Sequence, residues 1–195
     1  MLNRLLLGLP AIIGIVVGVV LVLALIIWAI SCYNKFVSLR THCDDAYSGI
    51  DVFLKKRYDL IPNLVETVKG YAKHESETLQ RVIEARAGIA KASTVDEMVM
   101  ADNALSQAIR GLNLVVERYP DLKANASFMS LQSQLRATET ELSQSRLYYN
   151  ARVRELNKSV QSFPGLIIAK LFKIKTRQMF TVDSPEERQN VKVQF

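Results

Sequence analysis

The chain has 195 residues, room for one ordinary domain and an anchor but too few for two sizeable cores. Glycine and proline are sparse and no low-complexity stretch interrupts the sequence, which argues against an unstructured chain. The formal net charge of +6 is carried in clusters, without the arginine-rich helix or aromatic platform that nucleic acid requires; on an anchored chain it points to anionic lipid and to topology.

From Leu5 to Ile30 every residue is apolar, glycine or proline. Crossing a bilayer takes about 20 such residues, so the run predicts a transmembrane helix. It is too long for the apolar core of a cleaved signal peptide, about 7–15 residues. Ala29-Ile30-Ser31-Cys32 makes a poor lipoprotein cleavage site. Trp28 and Tyr33 fall where an aromatic belt marks one membrane interface. Pro10 is expected in the first helical turn, and the Gly14/Gly18 spacing is weak evidence for helix pairing. Arg4 stands alone before the run, whereas Lys35, Arg40 and Lys55-Lys56-Arg57 follow it. The positive-inside rule therefore favours the amino terminus outside and the rest in the cytoplasm over the reverse, a periplasmic domain. Cys32 and Cys43 lie about 16 Å apart along one helix, too far to pair.

Beyond the membrane the pattern is helical almost throughout. Phe36, Arg40, Cys43, Tyr47, Ile50, Leu54 and Ile61 recur at three-and-four spacing, so the membrane helix is expected to continue without a linker. Pro62 is expected to break or kink it. A second helix is expected from Pro62 to about Ala92, with Leu64, Val65, Val68, Tyr71, Leu79, Val82, Ile83 and Ile89 inward. Thr94 and Glu97 form a capping-box pattern that starts a third, Val95 to Arg118, ending at Tyr119-Pro120-Asp121. A fourth spans Ser127 to Phe163. Its Phe128, Leu135, Leu142, Tyr149, Leu156 and Phe163 repeat every seven residues, the mark of long helix-on-helix packing. Thr138 and Ser145 leave the companion seam polar in the middle, where they weaken packing and can set register. Pro164-Gly165 stop the helix. Leu166 to Phe180 is basic and amphipathic, with Lys170, Lys173, Lys175 and Arg177 and no acid; it either lies on an anionic membrane surface or closes the end of the bundle. Asp183 to Phe195 reads as a loosely held end.

No catalytic constellation is present. His42 and His74 are the only histidines, and the zinc-peptidase pattern that His74-Glu75 begins has Thr78 where its second histidine belongs. There is no phosphate-binding glycine loop and no Gly-x-Ser-x-Gly elbow. The expectation is no enzyme, no cofactor and no metal. One cluster of charges, Asp51, Lys55, Lys56, Arg57, Asp59, Glu66 and Lys69, surrounds Pro62. It reads either as a solvated face, with Asp51 and Lys55 paired, or as a surface for a partner.

Several long blocks resemble a known family. Tyr33-Asn34, Leu39-Arg40 and the block Ile50 to Ala72 (IDVFLKKRYDLIPNLVETVKGYA) are similar to the LemA signature, which His74-Glu75 and Glu84-Ala85-Arg86 continue. Glu117 to Ala124 (ERYPDLKA), Phe128, Leu131-Gln132, Thr138-Glu139, Tyr149-Asn150 and Phe163-Pro164 follow in order. Tyr47 stands where the family more often has tryptophan, and Phe53 where glutamine is common. The resemblance implies an all-α fold, an N-terminal transmembrane helix continuing into an elongated antiparallel up-down bundle of long helices. The expected divisions are an anchor over 1–32, a bundle over 33–165 and a basic segment with a tail over 166–195. It implies a single-pass protein of the bacterial inner membrane and brings no catalytic residues. It suggests envelope proteins such as a membrane zinc metalloprotease as partners, beside the bilayer and further copies of the chain, which the apolar run and the helical seams lead one to expect. Within the motifs, Asn63 and Asp121 are expected to stabilise turns beside Pro62 and Pro120.

Overall fold

The computed structural model describes residues 2–180, with side chains from Ile13 onward. The chain is all-helical, and the described residues contain no strand. In order it forms α1 (Leu2–Tyr71), α2 (Ser76–Lys91), α3 (Val95–Val116), α4 (Pro120–Lys123), α5 (Ala126–Gln161) and α6 (Gly165–Leu171). The expected end from Asp183 lies outside the described residues. The helix begins at Leu2, so Pro10 falls inside α1 and not in its first turn.

The first part of α1 exposes apolar side chains on every side: Ile15 is 67% exposed, Leu25 63% and Ile27 67%. An apolar helix bare all round belongs in lipid, and α1 is long and apolar enough to cross a membrane. From Phe36 onward one stripe of the same helix turns inward, and Phe36, Leu39, Cys43, Ala46, Ile50, Leu54 and Ile61 are buried. Arg40, placed on that stripe by spacing, is exposed instead; Leu39 takes its place.

Pro62 does not end the helix. α1 runs through it to Tyr71, so the expected division at Pro62 is replaced by a break at residues 72–75. The cost of a proline inside a helix is a lost N–H bond to the carbonyl four residues back. Here that carbonyl belongs to Tyr58, and the Arg86 side chain of α2 supplies the missing donor: its Nε donates to Tyr58 O at 3.0 Å. The same guanidinium lies over the Tyr58 ring, 3.6 Å from its centroid.

The chain divides into two compact units, residues through His42 with Arg154–Arg177, and Cys43–Val153 with the segment from Gln178. In the second unit, the bundle unit, Ile61, Leu64, Val65 and Val68 of α1 pack with Leu79 and Val82 of α2. Leu105, Leu112 and Val116 of α3, Leu122 of α4 and Phe128 and Leu135 of α5 complete the core. Each fully buried side chain contributes about 1.5–3 kcal/mol of hydrophobic stabilisation. Tyr71 and Ile83, expected inward, are 45% and 43% exposed. The capping box forms as expected: Thr94 accepts from the Glu97 amide while the Glu97 carboxylate accepts from the Ser93 and Thr94 amides. Those bonds, the Ser93 amide first, hold the Glu97 carboxyl below its ordinary pKa.

The turn ends of the bundle unit are tied by residues from separate sequence blocks. Glu75 accepts from Arg118 Nη2 at 2.9 Å and from the Tyr119 hydroxyl at 3.3 Å. Asn125 donates to the Tyr71 hydroxyl and accepts from the Phe128 amide, which caps α5. Asn63, expected to stabilise a turn, lies within α1 and is exposed.

The seven-residue repeat of α5 is buried at Phe128, Leu135, Leu142, Tyr149 and Leu156. It fails at Phe163, 80% exposed, because α5 stops at Gln161. In the first unit, the anchor unit, α6 starts at Gly165. A Cβ there would lie 2.5 Å from Ser159 O and 3.3 Å from the Phe36 ring, so this close approach requires glycine.

Candidate functional site

Two groups of residues stand out as candidate surfaces, one in each unit.

In the bundle unit the charges expected around Pro62 separate into two sets. Asp51, Lys55, Lys56, Asp59, Glu66 and Lys69 are exposed along α1. Lys55 pairs with Asp59, at 2.6 Å, and not with Asp51. Lys56 reaches Glu141 of α5 at 3.7 Å, and Glu66 lies 3.8 Å from Lys69. Such exposed pairs contribute about 0.2–1 kcal/mol each, so they leave a charged face and add little to stability. Val52, 62% exposed, and half-buried Phe53 lie beside them in the sequence.

Arg57 is not part of that face. It is 2% exposed and points into the bundle, where its Nη1 donates to Asp102 Oδ1 of α3 at 2.5 Å and its Nη2 to Ser106 Oγ at 2.9 Å. Arg146 of α5 donates to the other carboxylate oxygen of Asp102 at 2.6 Å. One buried acid thus joins two arginines from two other helices. The buried Nε atoms of both arginines have no hydrogen-bond partner among the described residues.

This triad was hidden in the sequence, although a signal for it exists. The inward stripe of α1 skips from Leu54 to Ile61, leaving position 57 for a polar occupant, and the stripe of α3 carries Asp102 between Met98 and Leu105. The α5 seam is polar at Thr138 and Ser145. Thr138 is fully buried, its hydroxyl turned back to Gln134 O, and Arg146 follows Ser145 directly. Beside Asp102 and Arg146 lies a groove of about 410 Å³ that also takes in Ser106, Arg110 and Glu139. Further along, the Tyr47 hydroxyl donates to Met98 Sδ, and the Tyr47, Tyr149 and Phe180 rings cluster. Burial, and after it the charge of Asp51, holds the Tyr47 phenol above its ordinary pKa.

In the anchor unit, Trp28 and Tyr33 are 38% and 39% exposed. Trp28 and Phe163 line one cleft with Cys32, Lys35 and Lys158. The Tyr33 ring packs against that of Phe172, centroids 4.7 Å apart. Lys170, Lys173 and Lys175 are exposed and Arg177 half-buried. The segment expected as one amphipathic piece is helical only over Gly165–Leu171; its continuation is held in place by side chains of α5. Asn157 donates to Arg177 O and accepts from Arg177 N, both at 2.8 Å. In the bundle unit Asn150, one heptad earlier, does the same for Phe180, at 2.7 and 2.8 Å. An amide side chain offers one donor and one acceptor side by side, which matches one residue's backbone pair.

Replacing Asn157 with alanine removes both bonds, for an expected loss of about 1–3 kcal/mol. Hydrogen exchange of the Arg177 amide should accelerate at least tenfold in that variant; an unchanged rate would show that the clamp contributes nothing.

Lys173 has a left-handed backbone, φ 53°. It follows the last turn of α6 in a Schellman cap, with Ile174 N donating to Ala169 O at 2.8 Å and Lys173 N to Lys170 O at 3.3 Å. Glycine is the usual residue there, and a side-chain-bearing residue costs about 1 kcal/mol.

Among the described residues no three or more His, Cys, Asp or Glu side chains are grouped to hold a metal ion. The LemA family model matches residues 46–195. The chain belongs to the LemA family. It is 24% identical over 131 residues to Protein LemA of Metamycoplasma hominis, covering 67% of this chain and 60% of that protein. This LemA-family chain is also 22% identical over 191 residues to the magnetosome protein MamQ 2 of Paramagnetospirillum magneticum, covering 85% and 70% of the two chains. MamQ of Magnetospirillum gryphiswaldense is 20% identical over 197 residues, covering 88% and 72%. Family membership agrees with the motif blocks. His74-Glu75 meets Arg118-Tyr119 through Glu75, and Arg86 meets the Tyr58–Pro62 segment, so blocks far apart in sequence are partners in space.

Proposed function

We propose that this LemA-family protein is a non-catalytic interaction protein of the bacterial inner membrane, presenting a helical bundle to protein partners. The observation that carries it is the double use of α1, which exposes an apolar span over Ile13–Ile30 and then supplies the buried stripe of the bundle. Apolar side chains and the Arg57–Asp102–Arg146 triad are buried in the bundle's interior, so this reading assigns recognition to its outer faces. Lys35, Arg40, Lys55 and Lys56 after the span, against Arg4 before it, support a cytoplasmic bundle. Further copies of the chain and envelope proteins, a membrane zinc metalloprotease among them by family analogy, are the partners this reading favours.

A photoreactive residue placed at Val52, Asp59 or Glu66 tests this in intact cells. A reproducible adduct with a cytoplasmic or membrane protein, or with a second copy, is expected, and Lys55→Glu with Lys56→Glu should weaken it. No adduct from any of the three positions would overturn the reading, and an adduct with a periplasmic protein would overturn the orientation.

A second reading, binding of anionic lipid by an oligomerising membrane-remodelling or envelope-stress protein, draws on one observation. Phe163, Ile167, Leu171 and Phe172 are all more than half exposed, among Lys170, Lys173 and Lys175. An apolar surface edged by lysines suits the boundary between acyl chains and headgroups.

A further inference from the structure

We propose that the anchor unit contains a defined site for the phosphate of an anionic phospholipid headgroup: a cleft in which Arg40, Lys173, Lys175 and Arg177 converge over Tyr33 and Phe172. The proposal deepens the second reading above by naming a ligand group and a pocket, and it rests on the span Ile13–Ile30 lying in the membrane.

The cleft has a volume of about 360 Å³, within the range of a small-ligand site, and none of the residues lining it is acidic. Four cationic side chains share it, and Arg40, Lys173 and Lys175 form no ion pair among the described residues. Arg40, Lys173 and Lys175, gathered in one cleft, repel one another unless an anion joins them. Guanidinium and ammonium groups together are the usual receptors for phosphate.

Position selects the lipid over other phosphates. At 1.5 Å per residue, Tyr33 lies about 5 Å and Arg40 about 15 Å beyond Ile30 along the axis of α1. The hydrocarbon core ends near Ile30, and the headgroup layer occupies roughly the next 5–8 Å. The aromatic floor, Tyr33 against Phe172, therefore lies within the headgroup layer, and Arg40 lies beyond it on the aqueous side, so the cleft between them opens at the headgroup surface. Basic pockets at this level are how membrane proteins hold particular headgroups.

The cleft is also built rather than accidental. The backbone of Arg177 is pinned by both bonds from Asn157, so the segment carrying three of the cations cannot simply spread to relieve repulsion. Lys173 occupies the left-handed cap position that glycine would fill with less strain. A strained backbone at a ligand-facing residue is a pattern of binding sites.

The test uses the full-length protein in a neutral detergent, with its thermal midpoint read against added dihexanoyl phosphatidylglycerol, dihexanoyl phosphatidylcholine or inorganic phosphate. Phosphatidylglycerol is expected to raise the midpoint saturably, and the other two are not at equal concentration. Lys173→Gly with Lys175→Gln should leave the lipid-free midpoint unchanged or higher, since glycine suits the cap, while weakening phosphatidylglycerol at least tenfold. Arg40→Gln, an exposed position on α1, should weaken it as well. Equal stabilisation by phosphatidylcholine or by inorganic phosphate, or wild-type affinity in both variants, would overturn the site. Carbonate extraction of cell membranes separates this from the broader reading. A chain that stays in the membrane but lacks the headgroup preference refutes the cleft alone, whereas a chain released from the membrane refutes both.

Discussion

Asp102→Ala is expected to cost the bundle unit about 3–5 kcal/mol, read as a lowered denaturation midpoint of the full-length protein in detergent. The carboxylate is the common acceptor for Arg57 and Arg146. Removing it leaves two guanidinium charges facing each other where Arg57 is 2% and Arg146 19% exposed. The loss measures that uncompensated charge, because a buried ion pair gains little over apolar side chains of similar size once desolvation is included. A triple variant, Arg57→Met with Asp102→Leu and Arg146→Met, should therefore recover most of the stability that Asp102→Ala loses. If Asp102→Ala left the midpoint unchanged, the triad would not be buried and paired in solution. If the triple variant were as unstable as the single one, hydrogen bonding rather than stranded charge would be the source of the loss.

Arg86→Met should cost about 1–3 kcal/mol, since it strands the Tyr58 carbonyl that Pro62 leaves without its helical donor. Methionine keeps most of the apolar stem over the Tyr58 ring while removing the donor and the charge. The informative measurement is a double-mutant cycle with Pro62→Ala. Alanine restores an N–H at position 62, so in that background Arg86→Met should cost at least about 1 kcal/mol less. Additive effects would mean that the arginine does not compensate for the proline, and the continuity of α1 through Pro62 would need another cause.

These two cases show how much of the molecule could be read in advance. The candidate membrane span was plain because an unbroken apolar run needs no tertiary context to be recognised. The capping box at Thr94 and Glu97 was equally plain, being a contact between residues three apart. The α5 heptad stayed in register for five members and failed at Phe163, where the helix had already ended. Pro62 misled because proline's local penalty is large and its remedy sits 24 residues away on another helix. Asn63 misled with it, for a residue within a continuous helix has no turn to cap.

For the candidate surfaces, six of the seven charges around Pro62 are exposed, and the seventh is buried. Arg57 faces the core where Lys55 and Lys56 face outward, and that difference depends on a single step of helical phase. The basic tail was visible as composition. Its fixing by Asn157 and its convergence with Arg40 were not, because an asparagine that binds backbone carries no mark of what it will bind.

Local and periodic features were set by the sequence alone: the span, the helical class, the seven-residue seam, the capping box and the motif blocks that place the chain in the LemA family. Each rests on residues whose spacing is itself the physical cause. Only the tertiary structure decided that α1 continues to Tyr71, that Arg57 faces Asp102 and Arg146, and that Arg40 joins Lys173, Lys175 and Arg177 around one cleft. Those outcomes depend on which groups meet across helices, where one donor or one charge from a distant segment reverses the local preference.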